Sequence, residues 1–178
     1  MSVRIKYLFV IVMGIFFALL QTCYFFQLEI WLTAAYPSFL TITMAWLLGN
    51  VVGLRLLSDK TDSVFVSRRL WVILSVIAYY SVLGLLHLFP YQMNLLPVYG
   101  VLIGVSGVMA GRFFVRSRSI FESSSRLFLM ENNGFILGWI IGFLGFVRFG
   151  ISFNLFAPLI FGICCYVLIV SVSSSTKG

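Results

Sequence analysis

One acid and four amides are the groups through which this chain could do chemistry, because they interrupt stretches that are otherwise apolar. They are Glu131 with Asn132 and Asn133 beside it, Gln21, and Asn50. A carboxylate placed in a bilayer has to be paired or has to work, as a proton carrier or as a ligand for a cation, and adjacent amides can supply neutral hydrogen bonds to either task. Depth separates these roles. Counted from Arg126 at ~1.5 Å per residue, Glu131 lies about 7 to 8 Å into its helix, close to the headgroup level. An acid in the first turns of a helix also complements the helix dipole. The structural expectation is therefore an ion pair with Arg55, Arg112 or Arg126, and the functional alternative is proton coupling or cation recognition. Gln21 and Asn50 are expected to bridge helices, at roughly 0.6 to 2 kcal/mol apiece.

Other reactive groups are few. His87, the single histidine, stands between Leu86 and Leu88 and reads as an interfacial polar tip. Cys23, Cys164 and Cys165 lack the spacing of a metal site or of a haem attachment, and adjacent helical cysteines point about 100° apart, so they read as small packing residues. The chain holds no HExxH, no serine within one helical turn of His87, and no paired acids within a span. The expectation is a protein that is not an enzyme and that needs no cofactor and no metal.

The elements that must carry these residues are membrane helices. With 61% apolar residues and 10% charged, the chain has too little polar surface to cover a water-soluble domain. A span needs about 20 mostly apolar residues, and such segments run over residues 7–26, 37–54, 70–89, 95–111, 127–147 and 149–171. The reading is an all-α membrane protein, one six-helix transmembrane domain over residues 1–172 with a short tail at 173–178.

Charge sets the expected orientation. Eleven of the twelve basic residues fall on one side of the six-span pattern: Arg4 and Lys6, then Arg55, Lys60, Arg68 and Arg69, then Arg112, Arg116, Arg118 and Arg126, then Lys177; Arg148 alone falls on the other. Lysine and arginine stay on the cytoplasmic side, which predicts both termini inside. The first span follows a basic stretch and precedes Thr33-Ala34-Ala35, as a signal peptide would. However, 22 uncharged residues run from Tyr7 to Leu28, against about 7 to 15 for a signal h-region, so it is expected to be retained.

A net charge of +7 would suggest nucleic acid in a soluble protein, but here the cations adjoin spans, so anionic lipid headgroups or a docking protein are the expected partners, and nucleic acid is not. The segment from Arg112 to Arg126 interleaves arginines with Phe113, Phe114, Val115, Ile120 and Phe121, as an interfacial piece lying on the inner leaflet would. Arg112, Arg116, Arg118 and Arg126, with Arg68 and Arg69, are the expected lipid or partner contacts.

Glycine spacing predicts which helices pack. Gly100, Gly104, Gly107 and Gly111 share one stripe of the fourth span, Gly134, Gly138, Gly142 and Gly145 one stripe of the fifth, and Gly49 and Gly53 form a pair on the second. In lipid, apolar burial drives helices together only weakly, and small residues allow backbones to approach instead. Close packing of the second, fourth and fifth spans is expected. The strings Gly49 to Arg55 and Gly107 to Arg112 echo one another, each closing a span with a glycine pair followed by an arginine.

Several of these strings together resemble a known family. Gly14-Ile15-Phe16-Phe17-Ala18-Leu19-Leu20-Gln21, then Trp46 through Gly53, then Arg126-Leu127-Phe128 followed by Gly134 and Gly138, are similar to the membrane part of bacterial spermidine-synthase-like integral membrane proteins. The likeness covers about residues 8–150. It implies a bundle like one half of a major facilitator transporter, with Glu131 at the family's acid or amide position. The aminopropyltransferase-like domain usual in that family has no counterpart here, so no polyamine synthesis is expected. Two classes of function remain. One is an accessory or scaffold subunit that packs with or anchors a partner. The other is a small transporter-like protein that dimerises to twelve helices and moves a small solute.

Overall fold

The computed structural model describes residues 3–55, 68–118, 121 and 123–174. Its architecture is an all-α bundle of six helices, each long and apolar enough to cross a membrane. They are α1 (Val3–Leu32), α2 (Ala35–Arg55), α3 (Arg68–Leu88), α4 (Leu96–Ser117), α5 (Ser124–Phe149) and α6 (Ile151–Ser174). The connections explain the boundaries. Thr33, with φ 52°, ends α1 and returns its N–H to the Glu29 carbonyl at 2.9 Å, and Gly150, with φ 58°, ends α5 through a 2.7 Å bond to Phe146. A single reversal residue with positive φ is what lets α5 and α6 fold back on one another with almost no loop. Between α3 and α4 the Tyr91 N–H bonds the Trp31 carbonyl at 3.0 Å, which ties that loop to the end of α1.

α1 is the axis of the bundle. Phe9, Val10, Met13, Phe16, Phe17, Leu20, Cys23, Tyr24 and Leu28 are buried along one broad face, and Ala18, Leu19 and Thr22 are buried on the opposite one, so the middle of the helix is enclosed all round. A helix that is apolar all round belongs in a core. Phe17 lies edge-on between Trp46 of α2, at 6.3 Å, and Phe113 of α4, at 5.5 Å. Removing the first span would take away the element around which the others assemble. α1 also runs on to Leu32, beyond the predicted end at Phe26, because residues 27–32 continue to bury Gln27, Leu28 and Leu32.

Two seams of parallel helices hold the bundle, and they correct the predicted packing. α2 lies on α4, as expected, but α5 lies on α1 rather than on α2 and α4. The reason is a small-residue stripe on α1, Gly14, Ala18 and Thr22, that fits the α5 stripe. A Cβ on Gly134 would run into the Ile11 carbonyl, one on Gly138 into Ala18 and the Ile15 backbone, and one on Gly142 into Thr22. On the other seam, Gly49 is closed against the Gly104 carbonyl and Gly53 against that of Val108, while Gly107 meets Trp46 and Gly111 meets Asn50. Not every predicted packing glycine seals a seam. Gly100 and Gly104 would find partners only at ordinary contact distance, and Gly145 faces the Phe153 ring of α6.

The five most extensive helix contacts are α2 with α4, α1 with α5, α1 with α6, α3 with α4, and α3 with α6. Exchanging the first three helices for the last three maps this set onto itself. Because α1 and α4 cross in opposite directions, the exchange also inverts the bundle.

The first part of the segment predicted to lie on the membrane surface is instead part of the bundle. Residues 112–117 continue α4 as a helix, with Arg112 and Phe113 buried inside the bundle. Phe113 is held edge-on by Phe9 at 5.7 Å and by Phe17, and the Arg112 guanidinium lies 5.4 Å from the Trp71 ring centre of α3. Ring contacts and a cation over an indole draw this turn inward. α5 then starts afresh, with the Ser123 hydroxyl accepting the Arg126 N–H at 3.2 Å as a helix cap.

Candidate functional site

The residues singled out in the sequence are not brought together. Glu131 is buried on α5 with 6% of its surface exposed, and its backbone is pressed against Gly14 of α1. Asn132 is half-buried and Asn133 exposed, since consecutive helical residues turn by about 100° and cannot share a face. Gln21 is half-buried on α1, two turns beyond Gly14, and Asn50 is half-buried on α2, where its carbonyl abuts Gly111. Glu131 makes no ion pair among the described residues, which overturns the expected bond to an arginine. The geometry gives the reason for Arg112. Phe9 and Met13 of α1 face the Arg112 side, whereas Gly14 faces Glu131, so the body of α1 stands between the cation and the acid.

The predicted basic contacts divide by depth. Arg118 and Arg126 are exposed, and Arg69 and Arg116 half-buried, at the end of the bundle that carries the chain termini. Arg112 is buried over Trp71 and is not available as a surface contact. It lines a small cavity of about 30 Å³ with Phe9, Met13, Trp71, Met109, Arg116 and Ser117. That is room for one water-sized occupant. Lys60, the side chain of Arg68 and residues 175–178 lie outside the described residues.

A polar core that the sequence did not announce occupies the opposite half of the bundle. Its hub is Tyr79 of α3, 1% exposed, whose hydroxyl donates to the Asn154 carbonyl of α6 at 2.8 Å. Cys23 and Gln27 of α1 lie near that hydroxyl. The Tyr24 ring packs 5.1 Å from the Tyr79 ring, and its hydroxyl shares a 3.1 Å hydrogen bond with Ser106 of α4. Four helices thus meet at buried hydroxyls and amides.

Pro158 explains why α6 needs this partner. A proline inside a helix has no N–H for the carbonyl four residues earlier, and its ring pushes that carbonyl aside. The orphaned carbonyl is that of Asn154, and Tyr79 satisfies it. Tyr80, the next residue of α3, donates to the Leu155 carbonyl, the next one along α6, at 2.5 Å. Two consecutive tyrosines of one helix therefore clasp the broken turn of another. Comparison with protein-family models, curated proteins and solved structures returns no match. What the site can do must be read from its own chemistry.

That chemistry is neutral. Around the clasp, the Asn154 side-chain amide and the Gln27 Nε2 are buried without a hydrogen-bond partner among the described residues, as is the Tyr99 hydroxyl two turns along α4 from Ser106. Such groups can donate to and accept from a small polar molecule, but they provide neither a nucleophile poised beside a base nor a metal-binding set; no cluster of three histidine, cysteine or acidic residues occurs among the described residues. Sequence reading passed over Gln27 because it falls just beyond the predicted end of the first span. The visible signal was the combination of Pro158 in an apolar run with adjacent tyrosines three helices earlier.

Proposed function

We propose that this protein is an accessory or scaffold subunit of a bacterial inner membrane, with both termini cytoplasmic, that packs with or anchors a partner, and that it is not itself an enzyme. The observation that carries this reading is the enclosed α1. Where a solute carrier would keep a central path, Phe16, Phe17, Trp46 and Phe113 fill the middle of the bundle around α1. The polar residues of the spans are dispersed, with Glu131 near one end and the Tyr79 core toward the other. The resemblance to the membrane part of spermidine-synthase-like membrane proteins agrees with an anchoring role, since in that family such helices carry an attached domain.

A second reading, a transporter-like protein that dimerises to twelve helices, draws on a different feature. A proline inside α6 beside buried, unpartnered amides, within a bundle whose five main helix contacts map onto one another on exchanging its two halves, is similar to the setting in which membrane carriers hold small solutes. Glu131→Gln separates the two readings. Under the scaffold reading, the variant accumulates to wild-type level and co-purifies with the same partner in the same ratio, measured by quantitative mass spectrometry of the complex in mild detergent. Loss of a solute flux in proteoliposomes with assembly intact would instead make Glu131 a working carboxylate and favour the carrier.

A further inference from the structure

Where α2, α4 and α5 meet at the terminal end of the bundle, their tips enclose a groove of about 630 Å³. That volume lies within the ~300–1,000 Å³ of sites that hold small molecules. One side is apolar, formed by Leu54, Phe114, Leu127 and Phe128 as the helices enter the membrane, and the other is polar, formed by Arg118, Ser124 and Ser125. The apolar and polar parts are stacked along the membrane normal, because Leu54 and Phe114 precede the ends of the candidate spans at Arg55 and Ser117, while Arg118 lies just past them. Arg55 and Arg126 adjoin the lining residues in the chain, both exposed, and none of the described lining residues is acidic.

We propose that this groove binds one phospholipid with an anionic headgroup, the phosphate on Arg118 and the hydroxyls of Ser124 and Ser125, and the start of the acyl chains against Leu54 and Phe128. Three observations favour a lipid over a protein segment. The apolar wall is continuous with the bilayer-facing surface of α2 and α5, where Leu54 and Phe128 are already exposed. The charge of the described lining residues, that of Arg118, complements a phosphate, for which a planar guanidinium offers paired donors. The first amides of α5 beyond the Ser123 cap add donors at the same level. This proposal concerns a lipid and stands whether the protein is a scaffold or a carrier.

The test uses the full chain, delipidated in a non-ionic detergent, with native mass spectrometry and thermal unfolding in the presence of phosphatidylglycerol or phosphatidylcholine of the same chains. The expected result is one retained phosphatidylglycerol and a larger thermal shift with it than with phosphatidylcholine. Arg118→Gln lowers the phosphatidylglycerol affinity about fivefold, as the loss of one basic residue near an anionic surface does, Arg118→Lys retains part of it, and Arg148→Gln at the opposite end changes nothing. Equal retention of the two lipids, or an unchanged preference in Arg118→Gln, would overturn the site. So would equal protection by glycerol phosphate, which would make the ligand a soluble phosphate, or displacement of phosphatidylglycerol by an acidic peptide, which would make it a protein groove.

Discussion

Replacing Gly134 with alanine destabilises the folded bundle by about 1–3 kcal/mol, and the same replacement at Gly84 stabilises it by up to about 1 kcal/mol. The chemistry of the two changes is identical, and both glycines sit inside helices. They differ in what the new methyl group meets. At Gly134 it collides with the Ile11 carbonyl and lies within about 3 Å of the Ile11 Cα, which is backbone and cannot rotate away, so α1 and α5 must separate. At Gly84 nothing stands within 4 Å, so only the helix-forming advantage of alanine remains. Thermal unfolding of the purified variants, followed by tryptophan fluorescence, measures both. Equal effects at the two positions would mean that helix propensity governs and that the α1–α5 seam is not closed by backbone contact. Gly49 or Gly111 on the α2–α4 seam should behave as Gly134 does, whereas Gly100→Ala, whose nearest neighbour is a Thr41 methyl at 3.6 Å, should be tolerated.

The second large effect is conditional on a proline. Tyr79→Phe leaves the Asn154 carbonyl buried and unpaired, and costs about 1–3 kcal/mol, the penalty for an unsatisfied buried group. In a Pro158→Ala background the helix regains the missing N–H, which bonds the same carbonyl, so the Tyr79→Phe penalty should fall to a few tenths of a kcal/mol. A double-mutant cycle on Tyr79 and Pro158 therefore shows a coupling of ~1 kcal/mol or more, across helices that are remote in sequence. Additive effects would mean that the tyrosine stabilises α3 for reasons unrelated to the break in α6.

The helices were legible because a bilayer demands long apolar runs, and the spacing of Gly49, Gly53, Gly107 and Gly111 correctly joined α2 to α4. The partner of the α5 stripe was misread because a glycine stripe says that a backbone will come close without saying which one. The answer lay in Gly14, Ala18 and Thr22 of α1, where only one of three small residues is glycine. Arg112 was misread for a related reason. A loop rich in arginine and phenylalanine has the composition of an interfacial segment, but Phe9, Phe17 and Trp71 give its first turn a better place inside. Glu131 was correctly placed inside a span, yet its fate depended on which side of α1 the arginines would stand, and that is a property of the packing. The Tyr79 core was invisible to a search for charged groups, because it is built from hydroxyls and amides contributed by four separate helices.

The most direct measurement of the proposed role is the native mass of the complex extracted from its own membrane in mild detergent, with every chain identified and counted. The scaffold reading predicts this chain together with a different chain in fixed stoichiometry. A homodimer with no second chain, closing twelve helices around a shared interface, would contradict it and make Glu131 and the Tyr79 core the places to look for a carried solute.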